Sequence, residues 1–163
     1  MEQNETKCQA ECLRLALIAG LVDRRAVMLW VDARIHESSS PHPALIDLAY
    51  AANRPPHEIE HLLGACPGDC DRERSSGLFL ALALNSFESG ETASSLIRAL
   101  SRTWQDEGLT AQVAAEIDRL DDELSLAETG THGTLETVTR ELSEFLEPFR
   151  RPLAAGLLPS RQA

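Results

Sequence analysis

Two histidines four residues apart, with a glutamate directly after the first, make up the stretch of this chain that matches a known catalytic pattern: His57-Glu58-Ile59-Glu60-His61. On a helix, imidazoles at i and i+4 can reach one zinc ion, and the intervening glutamate can activate a metal-bound water for hydrolysis. The flanking residues fix the helix phase. Ile59, Leu62, Leu63 and Cys66 recur at i, i+3, i+4 and i+7 and define a buried stripe. At about 100° per residue, His57 and His61 then lie on the opposite side, in water. Pro55-Pro56 reads as the start of this helix, just before the first histidine. The expectation is an exposed histidine pair, with no metal, no other cofactor and no catalytic residue assigned. The alternative is a zinc-dependent hydrolase with His57 and His61 as ligands and Glu58 as base.

The four cysteines form two i, i+4 pairs, Cys8/Cys12 and Cys66/Cys70. Four thiolates can hold zinc, and two pairs can form disulfides. Cys8 and Cys12, however, share a stripe with Leu15 and Ala19, and Cys66 continues the stripe of its own helix, so packing is the expected role. Cys70 follows Pro67-Gly68-Asp69 and is expected to be a free, exposed thiol in a loop.

Other catalytic hardware is missing: there is no phosphate-binding glycine loop, no dinucleotide fingerprint and no nucleophile elbow. Charge is more informative. Against 26 acidic residues stand 15 basic ones, a formal charge of −11. Such a field repels phosphate backbones, and no basic stripe offsets it, so direct nucleic-acid binding is not expected. The same field attracts a basic partner and speeds the encounter. Its densest stretch is Ala111 to Glu128, where Glu116, Asp118, Asp121, Asp122, Glu123 and Glu128 stand against a single Arg119.

The elements that must position these groups are helices. Ala and Leu dominate, and aromatic residues make up only 4% of the chain, which favours helix over strand. Turn signals divide the chain into about eight helical pieces. The first runs from near Glu5 to Ala19. A second follows the N-cap Asp23, with Val27, Trp30, Val31 and Ile35 inward. A third opens at Pro43, with Leu45, Ile46 and Ala49 inward, and a fourth opens at Pro55-Pro56. A central apolar helix spans about Arg72 to Phe87. The next begins at Glu91 and runs to Gly108, with Leu96, Ile97, Leu100 and Trp104 inward. Thr110 caps a helix over Ala111 to Glu128. The last, about Thr134 to Leu146, turns Leu135, Val138, Leu142, Phe145 and Leu146 inward.

The expected fold is therefore all-α, a single domain over residues 1–152 of packed αα-hairpins around the central helix, followed by a flexible tail at 153–163. Both tryptophans are expected as core anchors. Leu13 to Val22 contains Arg14 and follows an acidic N-terminus, and Leu78 to Leu84 is only seven residues long. Neither reads as a leader or a membrane span, which points to a cytoplasmic protein.

Residues 15–65 carry Gly20-Leu21-Val22, the stretch Val27 to Asp32 with Trp30 and Val31, and Pro43-Ala44-Leu45-Ile46-Asp47-Leu48. This third of the chain resembles uncharacterised all-helical bacterial proteins, some of them proposed immunity proteins of polymorphic toxin systems. The resemblance implies a partner class, a toxin domain, and transfers no functional residue. The expected function is an acidic binding protein that neutralises a cognate effector by occluding its active site, with Glu116, Asp118, Asp121, Asp122 and Glu123 as the contact set. A helical adaptor or regulatory scaffold is the alternative within the binding class.

Overall fold

The computed structural model describes residues 2–153 and 157. Among these the chain is all-α and forms a single domain of eight helices. They are α1 (Glu2–Ala19), α2 (Arg24–Glu37), α3 (Pro43–Ala49), α4 (Pro56–Gly64), α5 (Arg72–Glu88), α6 (Ala93–Ser101), α7 (Ala111–Glu128) and α8 (Leu135–Leu146). A 3-10 turn over Glu147–Phe149 follows α8.

Local chemistry sets most of the helix starts. Asp23, Asp71, Thr92, Thr110 and Thr134 each accept a backbone N–H of the first turn through a side-chain oxygen, which satisfies a donor that the helix leaves unpaired. His42 caps α3 in the same way through Nδ1. Pro43 and Pro56 stand at the first positions of α3 and α4, where the missing N–H costs nothing.

Helix α5 is the buried centre: every residue from Ser75 to Leu84 is buried. It packs against α1, α6, α8 and the 3-10 turn. Helix α1 adds Leu13, Leu15 and Ala16 and also packs along α4. Helices α2 and α3 pair, as do α6 with α7 and α7 with α8, while α1 lies mainly along α4 rather than α2. Two polar side chains are enclosed productively: Trp30 is fully buried, and its indole N–H donates to the buried Gln9 carbonyl at 2.9 Å.

Three inward assignments are corrected. Helix α6 ends at Ser101, so Trp104 falls in the following turns and is 39% exposed rather than buried. Ile46 and Leu135 lie within or at the start of their helices yet are 39% and 48% exposed. Leu45 and Leu48 form the buried face of α3, and Val138, Leu142 and Leu146 form that of α8. In the segment expected to be a loose tail, Leu153 packs against the core and Leu157 is buried; residues 154–156 and 158–163 lie outside the described residues.

Candidate functional site

The catalytic pattern sits on α4 as the helix phase requires. Ile59 and Leu63 are fully buried while His57 and His61 are exposed on the far side. Glu58 is engaged by Arg54 at 3.3 Å. Among the described residues, no three His, Cys, Asp or Glu side chains gather as a metal-binding group.

The cysteines overturn their sequence reading. Cys8 on α1 forms a disulfide with Cys70 in the loop after α4, the two Cα atoms 5.0 Å apart. Cys70 is therefore not a free thiol, and Cys8 is more than packing. Cys12 and Cys66 are the free pair, both buried. Burial pushes the Cys12 thiol up to about 12 and the Cys66 thiol up to about 11, which keeps both protonated and unreactive at neutral pH. The loop fits closely against α1. Gly68, at φ +114°, has the Gln3 carbonyl oxygen 2.7 Å from where a Cβ would stand, so both its conformation and its space require glycine. The Asp69 amide donates to Asn4 at 3.1 Å.

Beside the disulfide lies an open cleft of about 570 Å³ between α1, the start of α5 and the turn before α7. On its α1 side the charged groups pair with one another. Arg14 makes a two-pronged pair with Asp106, at 2.7 and 2.8 Å, and a third bond to Glu11 at 2.8 Å. Lys7 donates to Glu11 and to the Gly64 carbonyl, each at 2.6 Å. Asp106 also accepts from the Gly108 amide at 2.8 Å. The Arg14 hydrogen bonds, offset in part by burial and reinforced by the Gly108 amide, hold the Asp106 carboxyl below the ordinary aspartate range. A Cβ on Gly108 would fall 2.8 Å from Arg14 Nη2. This network is a fastener between α1 and the α6–α7 connection.

The acidic surface is different. Of the five carboxylates singled out on α7, Glu116 and Glu123 are taken by Arg119, which also reaches Glu141 of α8 at 2.9 Å. Glu123 and Glu141 share a hydrogen bond that holds Glu123 above the ordinary glutamate range. The same bond, together with Arg119, holds Glu141 below it. The carboxylates of Asp118, Asp121 and Asp122 have no hydrogen bond or ion pair among the described residues, and Asp118 and Asp122 are exposed. Stepping by four along α7, Asp118 and Asp122 lead to Leu126, which is 40% exposed. The face thus combines free carboxylates with uncovered apolar surface.

Glu141 escaped the sequence reading because it belongs to the next helix, and Arg119 was seen only as a lone positive charge. An arginine isolated among acids at i−3 and i+4 is the signal that could have found the cluster. Comparison with known proteins finds no matching family model, no matching curated protein and no matching solved structure.

Proposed function

We propose that the protein is a non-catalytic binding protein whose α7 face, through Asp118, Asp121 and Asp122, docks over a basic cleft of a cognate effector, an antibacterial toxin domain, and occludes its active site. The observation that carries this reading is the division of the five α7 carboxylates expected as contacts. Glu116 and Glu123 are held within the fold by Arg119, and the three aspartates have no cationic partner among the described residues. Free carboxylates in a field of −11 steer a basic partner and fix its register. Leu126 supplies the kind of apolar contact that interfaces keep near their centre.

Among the described residues no helix is long and apolar enough to cross a membrane. The proposed meeting place is the cytoplasm, where thiol pools keep most cysteines reduced. The α7 face lies on a different part of the chain from Cys8 and Cys70, so binding is proposed to operate with the disulfide closed or open. The test is affinity capture from the native source with the wild type and with an Asp118→Lys, Asp121→Lys, Asp122→Lys variant, with and without reductant. The proposal expects a basic protein retained by the wild type under both conditions, released as salt rises, and absent from the variant. Equal capture by a folded variant would reject the surface. Genomic context supplies a second check, since a toxin gene should lie next to this one.

A further inference from the structure

A smaller hollow, of about 200 Å³, opens where the last turn of α2 meets the start of α1 and the N-terminus of α3. Arg34, Ser38, His42 and Thr6 line it, with Leu45 and Pro67 as its apolar wall. Gln3, Ser40 and Glu37 complete the lining, and of the polar side chains all but Glu37 carry hydrogen-bond donors. Arg34 grips Glu37 through Nη2 alone, at 2.8 Å to Oε1 and 2.7 Å to Oε2. Its Nε–H is buried with no acceptor, a condition that native proteins rarely tolerate without a reason. His42 uses Nδ1 to accept the Ala44 amide at 3.2 Å, so the neutral ring carries its proton on Nε2 and can donate there. Ser38 Oγ accepts the Ser40 amide at 3.2 Å, which leaves its hydroxyl hydrogen free.

A lining rich in donors calls for a ligand that only accepts. The single carboxylate at the rim, Glu37, is 57% exposed and can swing into water. The Nε/Nη2 edge of a guanidinium is built to take two oxygens side by side, yet Glu37 occupies half of it. We propose that this hollow is a binding site for a small oxyanion carried on a short apolar group, which displaces Glu37 and takes both Nε–H and Nη2–H of Arg34 while its apolar part rests on Leu45 and Pro67. The overall negative charge does not forbid it, because charges beyond about 8 Å are largely screened at physiological salt. The site shares no residue with the α7 face and does not depend on the function proposed for that face.

The test is a titration of isotopically labelled protein with inorganic phosphate and, separately, with propionate, at constant ionic strength against a chloride control. Saturable amide shifts confined to residues around Arg34, Ser38 and His42 are expected from at least one anion, and which one responds distinguishes a phosphate from a carboxylate ligand. Arg34→Gln should abolish saturation. Glu37→Gln should tighten binding severalfold, because it removes the competing carboxylate. Absence of saturation at tens of millimolar, equal shifts with chloride, or retained affinity in a folded Arg34→Gln protein overturns the proposal. Should Arg34→Gln fail to fold, Glu37→Gln decides: unchanged or weaker affinity overturns it as well.

Discussion

Arg14 and Arg119 each gather more than one carboxylate, and they do opposite things. Arg14 is 18% exposed and binds Asp106 across 92 residues of sequence, beside a disulfide that spans 62. Arg119 is 41% exposed and holds Glu116, Glu123 and Glu141 within one helical hairpin. The first cluster closes long stretches of chain and is shielded from solvent. The second joins neighbours that the hairpin already brings together, in water, where ion pairs are weak. Its main effect is on which charges remain free. The stability of the fold and its offered surface thus belong to separate regions, and each can be altered without the other.

Opening the disulfide is the largest test of that separation. For a loop of this length, Cys70→Ser should lower the free energy of unfolding by about 4 kcal/mol, and a reductant should do the same to the wild type. Chemical denaturation with and without reductant measures both. A loss below about 1 kcal/mol would mean that packing alone closes this side of the molecule.

The contrast between the two regions also marks what sequence could convey. Helices and their starts were legible, because a capping Thr or Asp, or a proline at the first position, acts through neighbouring atoms; α7 has the bounds its cap and glycine turn predict. The exposed histidines of α4 were legible from the phase of Ile59 and Leu63 alone. Trp104 was not, since the apolar period that marks α6 runs on past Ser101, where the helix has already ended. Cys8 and Cys70 were not, because connectivity depends on how α1 meets the loop after α4, and spacing carries no record of that. The Arg14–Asp106 pair was hidden for the same reason. On the α7 face, sequence supplied all five acidic residues, but only the side-chain geometry divided them into satisfied and free.

Asp106→Asn gives the next effect in size. It removes one charged partner of a mostly buried two-pronged pair and should cost about 2 kcal/mol at neutral pH. The sign with pH follows from the depressed carboxyl. Its stabilisation is complete above the unfolded-state aspartate value of about 3.9 and is lost as pH falls through the lower folded value. The difference between wild type and variant, followed by thermal unfolding, should therefore hold from neutral down to mild acid and close below about pH 4. A gap that persists unchanged in stronger acid would assign it to packing.

Smaller still, Arg119→Ala should change stability by less than about 1 kcal/mol, and less again in high salt. It frees Glu116, Glu123 and Glu141, so the proposed partner should bind the variant faster at low salt, as stopped-flow or surface association rates would show. Slower association would mean that Arg119 itself meets the partner.

Asp118, Asp121 and Asp122 should be both free for a partner and dispensable for the fold. The measurement that addresses both is a paired comparison of the triple lysine variant with the wild type, unfolding midpoint alongside partner affinity in the same buffer. The account predicts midpoints that agree closely, with affinity lost. A variant that unfolds much earlier, or one that stays folded and binds as well as the wild type, would contradict it.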